Sequence, residues 1–188
     1  MTDEQKDWFF VGTKEDRQHY SQKKIEEELI KRGEDLSEWN FFTIVRAPFA
    51  RARSEVKYQL ATQPKLRGLP NYKTVSKAIE TGAIWKNCWK HHSRSATELL
   101  NGKSEVKVLK LETANKEFSE MMKEWTGEAV QLPELNKSKD TSKNELSQGA
   151  KLMLIQSWEG DFKKFGYHVM REQQLMSGWE KYVEYFNE

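Results

Sequence analysis

The chain has a single cysteine, Cys88, among its 188 residues. No internal disulfide can form, and nothing argues for an oxidising compartment. Long apolar runs are missing as well: no window approaches eighteen apolar residues, so no membrane span is expected. Charge of one sign is not in excess, since 31 Lys and Arg face 29 Asp and Glu for a net +2. A duplex-binding protein usually carries a basic excess on one face, so that balance argues against nucleic acid while leaving room for a local basic cleft. No G-x-x-x-x-G-K-S/T occurs, which disfavours a nucleoside triphosphatase. The four histidines and one cysteine show no zinc spacing, and no metal is expected. The opening MTDEQKDWFF lacks the charged-then-apolar secretory pattern and reads as cytoplasmic.

What is present is core material. Hydrophobic residues make up 37% of the chain and include seven Trp, nine Phe and six Tyr, enough for one domain with a ligand cleft. Trp8–Val11 is a short apolar run and a possible strand. A helix is expected over about Ser21–Arg32, with Ile25, Leu29 and Ile30 on one face and Gly33 ending it. Trp39–Val45, WNFFTIV, is the best strand, apolar on both faces and suited to the centre of a parallel sheet. Pro48 opens a helix running to about Thr62. Further helices are expected near Lys73–Thr81, Ala96–Leu100, Ala114–Trp125 and Leu146–Phe165, with a second strand at Glu105–Leu111. Helices between the two clear strands predict an α/β domain with a parallel sheet flanked by helices. That domain covers residues 1–168. Trp179, Tyr182, Val183 and Phe186 place an amphipathic helix in 169–188, packed on it.

The segment TIVRAPFARARSEVKYQL (43–60) carries the most chemistry. A buried strand delivers Arg46 at its carboxyl end, where open α/β sheets bind ligands. The helix begun by Pro48 points its first amides at the same place. Ser54 and Arg51, three apart, share a helix face. Guanidinium, hydroxyl and helix dipole together suit a phosphate. A surface helix with three ordinary arginines accounts for the same residues on physics alone.

R-x-P-x-x-R-x-x-S directly after a hydrophobic strand resembles the 3′-phosphate-binding motif of sulfotransferases that use 3′-phosphoadenosine-5′-phosphosulfate (PAPS). The similarity is greatest to carbohydrate-type sulfotransferases and their small bacterial and viral relatives. Other segments match in order. DRQHYSQKKIEEEL (16–29) is similar to the family's His-bearing segment and helix. VLKLETANKEFSEMM (108–122) resembles its strand-plus-acid and following helix, LPELNKS (132–138) its LPxLNxS loop, and WEGDFKKFGY (158–167) its closing aromatic signature. The resemblance spans roughly residues 16–168. It implies a fold related to P-loop nucleotide kinases, PAPS as sulfuryl donor, and a hydroxyl acceptor on a carbohydrate or glycolipid. Arg46, Ser54 and Arg51 would bind the nucleotide. His19, matching a general base, and Lys14 would be catalytic, and His91 and His92 would contact the acceptor.

Two departures stand out. Ala47 replaces the usual Asp or Asn, removing a helix N-cap at about 1 kcal/mol. The family's 5′-phosphosulfate loop is not found: Gly12-Thr13-Lys14 has the wrong residue order. The expected place of that loop is upstream of Met1, which would make the chain N-terminally incomplete. Loss of the loop would instead leave a non-catalytic or partner-dependent nucleotide-binding module. Glu112 is expected to orient a neighbouring loop, and Asp161 and Tyr167 to hold the last helix to the sheet. Single-stranded nucleic acid at Trp85, Lys86, Trp89, Lys90 and Arg94 is the weaker rival.

Overall fold

A computed structural model describes residues 20–88, 90–132 and 145–167. Helix α1 (Gln22–Lys31) starts at Ser21, whose side chain accepts the Lys24 amide. It ends where Gly33 adopts φ 82° and the amides of Gly33 and Glu34 return to the carbonyls of Ile30 and Leu29, a turn that favours glycine. Strand β1 (Phe41–Val45) follows, then α2 (Pro48–Thr62). Short helices α3 (Val75–Glu80), α4 (Ala83–Asn87), α5 (Lys90–Ser93) and α6 (Ala96–Leu99) lead to strand β2 (Val106–Lys110). Helices α7 (Ala114–Thr126), α8 (Gln148–Ser157) and α9 (Glu159–Lys164) complete the described chain.

The two strands pair in parallel, with Phe41 opposite Val106 and Val45 opposite Lys110. An α/β domain with a parallel sheet is therefore present. Among the described residues that sheet has two strands, and β1 is less enclosed than its composition predicts: Val45 is buried while Ile44 is 37% exposed. Helix α7 covers one face, where Phe42 meets the rings of Phe118 and Trp125 at 5.6 and 6.2 Å. Leu109, Phe118 and Met121 are the buried residues there.

The larger core is helical. Ala52 and Val56 of α2, Ile79 of α3 and Leu154 of α8 have no exposed surface, and Trp158 is nearly as deep. Gln59 is buried among them. Its amide nitrogen donates to Ile84 O and Glu55 Oε1, and its Oε1 lies 2.5 Å from the Tyr72 hydroxyl. A buried amide without those partners would be costly.

The helix expected over 146–165 is instead two. At Trp158 the backbone leaves the helical region, with φ −126° and ψ 33°, and the indole Nε1 donates to Ser93 O at 3.0 Å. Burying that indole with its donor satisfied takes precedence over helix continuity. The aromatic-basic stretch 84–94 is likewise split, at Cys88, into α4 and α5. Among the described residues no helix is long and apolar enough to cross a membrane. The expected helix in 169–188 and the run Trp8–Val11 lie outside the described residues.

Candidate functional site

Both strands end at the same edge of the sheet, so the residues just beyond them are brought together. Leu111 N–H donates to Val45 O at 2.7 Å, carrying the ladder one step past β2. Arg46 follows Val45, and Glu112 follows Leu111. Arg46 is exposed and forms no hydrogen bond or ion pair with any described residue.

The first turn of α2 has no side-chain cap, because Ala47 has no side-chain acceptor, and Pro48 occupies the first helical position. The Ala47 amide instead donates to Glu112 Oε1 at 3.0 Å. A carboxylate just beyond β2 thus takes over part of what the missing Asp or Asn would have done, and its charge suits the helix amino end. The amides of Phe49 and Ala50 have no backbone acceptor among the described residues, as expected for the first turn of a helix. Ser54 is exposed, about 9 Å along the axis from Pro48 at 1.5 Å per residue.

Glu112 has a second partner, for the Tyr167 hydroxyl donates to Oε2 at 3.2 Å. Burial, and then the negative Glu112, push the Tyr167 hydroxyl above its ordinary pKa, so it stays protonated and donating. Lys110 Nζ lies 5.1 Å from the centre of the same ring. One carboxylate therefore ties together the end of β2, the start of α2 and the segment after α9. Its role is to orient the backbone around Arg46.

Arg51 occupies a different place from the one its spacing predicts. It does not join Ser54 in the open. Its guanidinium turns inward and donates to Asp161 Oδ2 at 3.2 Å, His92 O at 3.2 Å and Arg94 O at 2.5 Å. It also lies 4.5 Å over the Trp158 ring. Asp161 is 3% exposed and additionally accepts the amides of Ala96 and Thr97 at 3.0 and 2.8 Å, which starts α6. The physical reason is competition. A buried carboxylate and the main-chain carbonyls of His92 and Arg94 offer desolvated, directed partners that a solvent-facing rotamer lacks. Arg51 is a fastener between α2, the 92–97 segment and α9. Asp161 and Tyr167 hold α9 and its tail to the rest of the domain.

The histidines separate as well. His92 Nδ1 is 2.9 Å from Glu55 Oε2, and its ring packs against Tyr58 at 5.7 Å between centroids. His92 is thereby engaged on the flank of α2, where its main chain also receives Arg51. His91 lies on α5, and nothing is described of its side chain. Lys14 and His19 lie outside the described residues. Cys88 donates to Trp85 O at 3.3 Å, and burial raises its thiol above the ordinary pKa, the environment of an unreactive cysteine. Among the described residues no group of His, Cys, Asp or Glu is arranged to hold a metal.

Sequence reasoning missed Glu55, the partner of His92, and the role of the Trp158 indole as a clasp on the 93 carbonyl. Neither has a local spacing signal, because both contacts join residues at least 37 positions apart. No family model, curated protein or solved structure matches the chain.

Proposed function

We propose that the chain is a sulfotransferase-like protein that binds PAPS or its product, adenosine 3′,5′-bisphosphate, with the 3′-phosphate on Arg46 and Ser54. The single observation carrying this reading is the guanidinium of Arg46, without a partner among the described residues, at the carboxyl end of a parallel strand, next to an α2 amino end whose side-chain cap is missing. An anion there gains a directed donor, free first-turn amides and the helix dipole together. The strand–Arg–x–Pro–helix order of 43–60, which resembles the sulfotransferase phosphate motif, supplies the identity of the ligand. Sulfuryl transfer to a hydroxyl, probed on carbohydrates, would then use His19 as general base and Lys14 at the donor sulfate. A sulfuryl group passing between oxygens needs positioning and charge stabilisation above all, by analogy with phosphoryl transfer.

Calorimetry with adenosine 3′,5′-bisphosphate tests the binding half. Arg46→Ala should weaken affinity by about 1.5–3 kcal/mol, roughly ten- to 150-fold, as for a charge-assisted hydrogen bond. Ser54→Ala should cost less, about 0.5–1.5 kcal/mol, for one neutral donor. Absence of binding by the unaltered protein, or a Ser54 effect larger than that of Arg46, would overturn the assignment. Radiolabelled sulfuryl transfer from PAPS to a sugar panel tests the catalytic half, with His19→Ala slowing it about 10²–10⁴-fold.

A further inference from the structure

Besides Arg46, the same sheet edge carries a second cation that no motif assigns. Lys110 closes β2 and stands opposite Val45, the last residue of β1, so it leaves the ladder beside the place where Arg46 begins. Its side chain is half-buried. The Nζ lies 5.1 Å from the centre of the Tyr167 ring, and a Cβ added at Gly166 would stand 3.8 Å from it. The end of α9 builds that seat. Gly166 adopts φ 63°, a left-handed conformation that favours glycine. The Tyr167 amide returns to Phe162 O at 3.1 Å, which closes the helix and turns Tyr167 back onto the end of β2.

The acids around this ammonium are engaged elsewhere. Glu112 accepts the Ala47 amide and the Tyr167 hydroxyl, and Glu117 accepts the Thr113 hydroxyl and the Lys110 amide. Among the described residues the Lys110 Nζ forms no hydrogen bond or ion pair, the ring contact apart. A ring face holds an ammonium from one side by electrostatic attraction. The ammonium has three N–H donors, and those turned away from the ring suit an anion at the edge where open α/β sheets bind ligands. Arg46, Ser54 and the first amides of α2 already supply donors for a 3′-phosphate. Lys110 stands across the ladder from them, on the strand that α2 does not follow. We propose that Lys110 binds the second phosphate of the nucleotide, the one at its 5′ position, with Tyr167 and Gly166 as the residues that position the ammonium. This rests on the reading that adenosine 3′,5′-bisphosphate or PAPS occupies the edge.

The test is calorimetry with adenosine 3′,5′-bisphosphate and with adenosine 3′-monophosphate, the latter titrated by competition against the former. Lys110→Met keeps a long apolar stem and removes the charge. It should weaken the bisphosphate about ten- to 150-fold, as for a charge-assisted hydrogen bond, and leave the 3′-monophosphate unchanged. Lys110→Arg should retain most of the bisphosphate affinity, and thermal melts of both variants should match that of the unaltered protein. Arg46→Ala, by contrast, should weaken both ligands. A bisphosphate affinity untouched by Lys110→Met overturns the proposal and leaves the 3′-phosphate assignment standing. An equal loss for both ligands also overturns it, by making Lys110 a support of the whole edge. Absence of bisphosphate binding by the unaltered protein overturns the nucleotide reading itself, and the role of Lys110 with it.

Discussion

Arg46 and Arg51 stand five positions apart at the start of one helix, yet one is exposed with no partner among the described residues and the other is held by three acceptors and an indole ring. Residue type and spacing treat them alike. Their surroundings do not. Arg51 faces Asp161, a carboxylate that arrives 110 residues later and is itself nearly sealed from solvent. Arg46 follows β1 at a sheet edge where the carboxylate of Glu112 is already occupied by a backbone amide and a tyrosine hydroxyl. An arginine whose partners are supplied by the fold contributes to stability, whereas an exposed one with no partner among the described residues is the candidate for a ligand contact.

Breaking the Arg51 side should give the largest effect. Asp161→Ala strands a mostly buried guanidinium and two helix-starting amides, and should cost about 3–5 kcal/mol in urea unfolding. Arg46→Ala should stay within about 0.5 kcal/mol of the unaltered protein in the same assay. Equal losses at the two positions would erase the contrast.

Glu26 extends the locked class to a second place, accepting the amides of Lys103 and Ser104 and a Gln22 donor. Burial, the largest single influence, pushes its pKa upward, but these hydrogen bonds together outweigh it and leave the folded-state value lowered. The sign follows: the stabilisation is complete above the unfolded value near 4.3 and is lost as pH falls through the folded value. Glu26→Gln should therefore cost about 1.5–3 kcal/mol at neutral pH, and the difference should shrink in acid. A constant difference across pH would show that the carboxylate charge is irrelevant there.

The smallest effect should come from the open side. Glu112→Gln keeps an acceptor for the Ala47 amide and removes one negative charge. A unit charge at roughly 7 Å in a water-like medium contributes about 0.6 kcal/mol. Adenosine 3′,5′-bisphosphate should therefore bind about threefold more tightly, with the gain fading in high salt. Weaker binding would mean that Glu112 orients Arg46 more than it repels the ligand.

Much of this was legible in local pattern. Pro48 and the apolar positions of α2 define that helix, a β-branched and aromatic run marks β1, and alternation marks β2. The order strand–Arg46–Pro48 places the guanidinium at the sheet edge without any structure. What stayed hidden depends on distant partners. The inward turn of Arg51 requires Asp161, the engagement of His92 requires Glu55, and the break at Trp158 requires the Ser93 carbonyl. Periodicity along 146–165 is continuous, so nothing local announces that break. The thin enclosure of β1 was missed for a similar reason, since apolar composition does not count neighbouring strands.

The parallel register has a consequence for the order of assembly. Pairing Phe41 with Val106 joins residues 65 positions apart, and closing such a loop carries an entropy penalty of about 4 kcal/mol beyond a constant. Local helices between the strands form without that penalty and shorten the gap as they compact, so sheet closure belongs late on the folding path. Trimming the ladder with Val108→Ala should then leave the refolding rate nearly unchanged and accelerate unfolding. Stopped-flow chevrons would show this as a shift of the unfolding arm alone. The edge that presents Arg46 would accordingly be the last part of the molecule to take shape and the first to come apart.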